Sequence, residues 1–107
     1  LKKRQGCFLR LAGELLLKQS EFENALNHLR QSVRILETVG NPRQLWQAYA
    51  SLASAFKVAG RSGEARENRE LANQLINKVA NQISKNELKS CFLNADPIKK
   101  MLSNTGA

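Results

Sequence analysis

Apolar and polar positions along this chain follow a 3.6-residue period with few interruptions. Phe8, Leu11 or Ala12, and Leu15 or Leu16 share one face. Phe22, Leu26, Leu29, Val33 and Leu36 form the next, followed by Leu45, Tyr49, Leu52, Ala53 and Phe56, and then by Ala65, Ala72, Ile76, Val79 and Ile83. This spacing lays one apolar stripe along each of a series of amphipathic helices. Nothing alternates with the two-residue period of a strand.

The punctuation between stripes predicts where the helices stop and start. Gly40-Asn41-Pro42 reads as a C-terminal glycine, an N-cap asparagine and a first-turn proline. Ser20 and Glu23, like Ser84 and Glu87, have the spacing of a capping box. Gly60-Arg61-Ser62-Gly63 breaks the chain again, and Asp96-Pro97 offers a last start. The expectation is an all-α chain of about six helices, at roughly 3–18, 21–39, 42–59, 63–83, 86–94 and 97–103. Short connections make successive helices antiparallel neighbours.

The pattern also repeats. The spacing from Ala25 to Ala65 is 65 − 25 = 40 residues, and the same offset pairs Leu9 with Tyr49, Gly13 with Ala53, Leu16 with Phe56, Leu36 with Ile76 and Val39 with Val79. Apolar or small residues persist while polar ones drift, as in repeat units specified by their mutual packing. Gly13, Ala25, Ala53 and Ala65 fall where the two helices of a hairpin cross, so that their axes approach closely. Residues 1–84 are read as two hairpins, 1–39 and 42–83. Residues 85–107 are read as short capping helices, because Pro97 would interrupt a third full unit. Leu88, Phe92, Leu93, Ile98, Met101 and Leu102 are the expected covering residues.

At 107 residues there is room for one domain with a core of its own. Cys7 and Cys91 lie far apart without metal-ligand company and are expected to be packing residues in a reducing, cytoplasmic setting. No apolar run is long enough for a membrane span, and no signal peptide pattern opens the chain. The chain begins with Leu1 inside a helical pattern, which reads as a fragment of a longer polypeptide. Seventeen basic residues against nine acidic ones give a net charge of +8, which keeps nucleic acid open as a partner. The basic residues are nevertheless dispersed and do not alternate with stacking aromatics.

The hairpins resemble the tetratricopeptide repeat on Leu9, Ala12, Gly13, Leu16, Ala25, Leu29 and Ser32 in the first unit and Tyr49, Leu52, Ala53, Phe56, Ala65 and Ala72 in the second. Arg69 departs from the family's apolar preference, and the unit is longer than the usual ~34 residues. The longer unit and the tail from Ile83 to Ile98 are similar to the C-terminal repeat regions of large bacterial multidomain signalling proteins linked to ATPase, cyclase or kinase regions. The resemblance implies a right-handed superhelix of stacked hairpins whose first helices line a concave groove for a peptide or another domain. It places Arg10, Glu14, Leu17 and Lys18 of helix one and Gln47, Ala50, Ser54 and Lys57 of helix three in that groove. The clamp for acidic chaperone tails would need Asn where this chain has Glu14 and Ser54.

Catalytic, metal and cofactor chemistry finds no constellation to stand on. His28 is the only histidine and has neither Cys nor paired carboxylates at ligand spacing. Glu64, Glu67 and Glu70 interleave with Arg66 and Arg69 as on a solvated helix face. Gly60 and Gly63 belong to no phosphate loop. Trp46 is either a packing residue or an anchor for a partner. The resulting expectation is a non-enzymatic protein-interaction scaffold. Its alternatives are a basic nucleic-acid-binding array and a self-associating module that dimerises through an uncovered helix one near Leu9 and Leu16.

Overall fold

The computed structural model describes residues 2–40 and 42–82, together with Leu93, Pro97, Ile98 and Met101. These residues form four long helices and, among them, no strand: α1 (Lys2–Lys18), α2 (Phe22–Val39), α3 (Pro42–Val58) and α4 (Ser62–Asn81). Chain neighbours are also spatial neighbours. The pairs α1–α2 and α3–α4 pack most extensively, α2 joins α3, and α1 touches α3 more lightly. Two helical hairpins therefore lie side by side, joined where α2 packs on α3. The two short helices expected at 86–94 and 97–103 lie outside the described residues, except that Leu93, Pro97, Ile98 and Met101 are helical.

Both hairpins turn by the same device. In the first, Ser20 N–H donates to Leu17 O at 3.0 Å and Glu21 N–H to Leu16 O at 3.0 Å. In the second, Gly60 N–H donates to Lys57 O at 3.1 Å and Arg61 N–H to Phe56 O at 2.8 Å. This is the Schellman pattern, which closes the last carbonyls of a helix by placing one residue in the left-handed region. Gly60 takes it with φ 80° at little cost, whereas Ser20 takes it with φ 63° despite its Cβ. The capping box expected at Ser20 and Glu23 does not form: Glu21 is the N-cap of α2 and makes no side-chain cap bond. With only three residues between the helices, Ser20 must reverse the chain and cannot also begin α2. The asparagine cap at 41 and the second capping box at 84–87 lie outside the described residues.

Glycine and alanine set how closely α1 approaches α2. A Cβ on Gly13 would stand 2.6 Å from Leu29 Cγ and 3.3 Å from the Ala25 carbonyl oxygen, and one on Gly6 would stand 2.7 Å from Leu36 Cγ. Leu29 and Leu36 thus occupy the hollows that two glycines seven residues apart leave on one face of α1. Ser32 Oγ ties the same seam by donating to Gly6 O at 2.6 Å, fully buried. Ala25, Ala53 and Ala65 are buried, as the repeat predicts.

The core centres on α2 and α3. Leu26, Leu29, Val33, Leu36, Leu45, Ala48, Leu52, Ala55, Phe56 and Ala65 form one cluster, with Leu17, Tyr49 and Leu75 packed against it. Ala72, Ile76 and Val79 are buried on α4, as their periodicity predicts. Of the expected covering residues, Ile98 is buried and Leu93 and Met101 are half-buried, while Leu88, Phe92 and Leu102 lie outside the described residues.

Of the alternatives the periodicity leaves open on α1, Ala12 and Leu16 are half-buried, whereas Phe8, Leu11 and Leu15 stay 67%, 56% and 58% exposed; the buried residues are Gly6 and Gly13. The two glycines turn the helix so that its narrowest face, not its bulkiest, meets α2.

Candidate functional site

The first helices of the two hairpins, α1 and α3, share one open face. Between them lies a cavity of about 350 Å³ lined by Glu14 and Leu17 of α1 and Trp46, Ala50, Ser51 and Ser54 of α3, with Pro97 and Met101 from the C-terminal segment. Trp46, Ala50 and Ser54 recur every four residues, which puts them in one row along α3. The row descends from a broad aromatic to a methyl and a hydroxymethyl group. That sequence leaves the floor low enough to form a hollow.

A polar chain of contacts crosses from α1 to α3 at this site. Arg10 Nη1 donates to Glu14 Oε2 at 2.8 Å, one turn apart on α1. Ser51 Oγ of α3 donates to the same carboxylate oxygen. The Arg10 side chain is only 15% exposed, and its buried Nε finds no hydrogen-bond acceptor among the described residues. Cys7 Sγ adds a second link, donating to Gln44 Oε1 at 3.2 Å. Glu14 therefore serves as a fixed acceptor, with one oxygen already shared by two donors.

Of the eight residues assigned to the groove by resemblance, the structure brings Glu14, Leu17, Ala50 and Ser54 together around the cavity. Arg10 stands behind them, bonded to Glu14 and largely covered. Gln47 Nε2 donates to Arg43 O of its own helix at 3.1 Å. Lys18 and Lys57 are exposed in the last turns of α1 and α3 and do not line the cavity. Trp46 and Ser51 line it although neither belonged to that set. The four-residue row through Ala50 and Ser54 passes through Trp46 and was the signal available for it. Ser51 was legible only through its partner on α1.

Elsewhere the polar groups have structural occupations. His28 Nδ1 lies 2.8 Å from Asn24 O, one turn back on the same helix. Arg61 Nε donates to Glu64 Oε1 at 2.6 Å on the surface. Arg30 and Arg61 lie over the Phe56 ring, at 5.4 and 5.0 Å from its centroid. Burial raises the Tyr49 phenol above its ordinary value of 10.0, and the Glu37 carboxylate, which accepts its hydrogen bond, pushes the same way. Cys7 is a free thiol, and Cys91 lies outside the described residues. Among the described residues, no three His, Cys, Asp or Glu side chains gather as a metal site, and no helix is long and apolar enough to cross a membrane.

Comparison with known proteins gives no match to any family model, curated protein or solved structure.

Proposed function

We propose that this chain is a non-enzymatic interaction module, and that the face shared by α1 and α3 receives a peptide or an extended segment of another protein. The observation that carries this reading is the cavity itself. It combines an aromatic wall at Trp46, an apolar edge at Leu17 and Ala50, and hydrogen-bonding groups at Glu14, Ser51 and Ser54. Apolar surface with a few fixed polar groups is what a recognition pocket needs, because the first supplies affinity and the second supplies register. Two hairpins presenting equivalent helices to one side extend the same surface from α1 to α3, in the manner of stacked repeats. The resemblance to the tetratricopeptide repeat points to the same use, and to a place at the C-terminal end of a larger cytoplasmic signalling protein.

Pro97 and Met101 belong to this reading, since they stand at the rim of the cavity. A ligand entering there meets Pro97 and Met101 as well as α1 and α3. Lys18 and Lys57, exposed at the ends of the two helices, would meet an acidic residue flanking the bound segment.

A random peptide library panned on the intact chain tests the proposal. Ala50→Trp, a half-buried position at the cavity wall, fills the hollow without entering the core. Enriched peptides should bind the native chain saturably and lose at least about tenfold in affinity for the filled variant, the scale of losing one anchor contact. Peptides indifferent to that substitution would remove the cavity from the proposal.

A further inference from the structure

A second surface lies on the other side of α1. Phe8, Leu11 and Leu15 occur at intervals of three and four residues, hence on one stripe, and all three are more than half exposed. The two glycines that face α2 and the Glu14–Arg10 pair that faces α3 point elsewhere, so this stripe has no covering element among the described residues. Three large apolar side chains on one helix face form a patch of the kind that marks an interaction site.

The repeat shows what such a face receives. Forty residues on, the same three positions are Ala48, Ser51 and Ala55 of α3. Ala48 and Ala55 are fully buried in the cluster with Leu26, Leu29 and Val33 of α2, and Ser51 bonds Glu14 of α1. In the second hairpin this register is therefore a helix-receiving face already seated on helices. In α1 it carries larger residues and is open. The stripe spans about 10 Å along the axis, which matches one crossing helix.

Charge selects the partner. Arg4 and Lys18 flank the stripe at either end of α1, Lys2 and Lys3 extend the positive end, and all four are exposed. α1 has no acidic residue in its first turn, and its one carboxylate, Glu14, is engaged with Arg10 and Ser51. A second copy would bring like charges together in either orientation, which disfavours self-association through this face. We propose that the outer face of α1 docks an amphipathic helix of a second protein, with an apolar stripe and acidic residues along its edges. This site is separate from the cavity between α1 and α3 and does not depend on the function proposed for it.

The probe is a labelled synthetic helix with Leu at i, i+3 and i+7 and Glu on both flanks, titrated against the intact chain by fluorescence anisotropy. A matched helix with Lys flanks serves as control. Saturable binding of the Glu helix is expected, weakening as salt is raised and at least about tenfold tighter than that of the Lys helix. Phe8→Ser with Leu15→Ser, at exposed positions that leave the core intact, should lower the affinity at least about tenfold while the far-ultraviolet helix signal stays unchanged. Three results would overturn the proposal: equal or absent binding of the two helices, a dimer in sedimentation that the double substitution dissociates, or binding to anionic vesicles that the Glu helix does not displace. The first removes the charge argument, the second assigns the face to another copy and the third assigns it to a lipid surface.

Discussion

Ser20 stands in the left-handed region where the equivalent turn of the second hairpin has Gly60. A Cβ there costs roughly 1–2 kcal/mol in a backbone that only glycine adopts freely. Ser20→Gly should therefore stabilise the chain by about 1 kcal/mol, read as a higher urea midpoint at unchanged slope. The seam between α1 and α2 predicts the opposite sign. Gly13→Ala would place a methyl group 2.6 Å from Leu29 Cγ, an overpacking cost of about 1–3 kcal/mol. Ser32→Ala removes the 2.6 Å bond to the Gly6 carbonyl, which keeps its donor within α1, and should cost about 0.5–1.5 kcal/mol. Tyr49 gives a pH signature. Its folded-state pKa lies above the unfolded value, so its contribution is complete below about pH 10 and is lost as pH rises through the raised folded value. Chemical denaturation at pH 9 and pH 11 should show a larger drop in stability for the native chain than for Tyr49→Phe. Equal drops would mean that the phenol is not held by burial and Glu37.

At the level of helices, periodicity and punctuation located all four described elements to within two residues at either end. That legibility has a physical cause. Gly40 and Gly60 take left-handed backbone that few other residues adopt, Pro42 suits a first helical turn, and α2 carries its buried residues in one unambiguous stripe. α1 was harder to read because it offers two candidate faces. Phe8, Leu11 and Leu15 make the more apolar stripe, yet the hollows at Gly6 and Gly13 decide the packing, since Leu29 and Leu36 need room more than they need bulk opposite them. Ser20 misled in a similar way. Its spacing to Glu23 fits a cap, but a three-residue turn requires a left-handed residue at that position first. Periodicity registers the side chains that are present; a helix crossing is governed as much by where they are missing.

Over the whole molecule, the offset of 40 residues organises both the packing and the proposed surfaces. It pairs Ala25 with Ala65 and Gly13 with Ala53, all four buried, repeats the Schellman turn at Ser20 and Gly60, and aligns α1 and α3 on one side. Of the residues that the resemblance assigns to a groove, Glu14, Leu17, Ala50 and Ser54 line the cavity. The basic residues assigned to it separated from the cavity for two different reasons. Arg10 is held by Glu14, and Lys18 and Lys57 lie at the helix ends, beyond the row that Trp46 begins. A site shaped by contacts between units, such as Ser51 with Glu14, leaves no mark in the spacing within either unit. Its loss is nonetheless measurable: Ser51→Ala should weaken peptide binding at the cavity by roughly threefold to tenfold, because Glu14 loses one of two donors that fix it.

The most direct test of the proposed binding face is amide chemical-shift mapping of the isotopically labelled chain with a peptide enriched by panning. Saturable shifts concentrated at Glu14, Leu17, Trp46, Ala50, Ser51 and Ser54 are the predicted result. Shifts confined to α2 and α4, with those six positions unmoved at saturation, would contradict it.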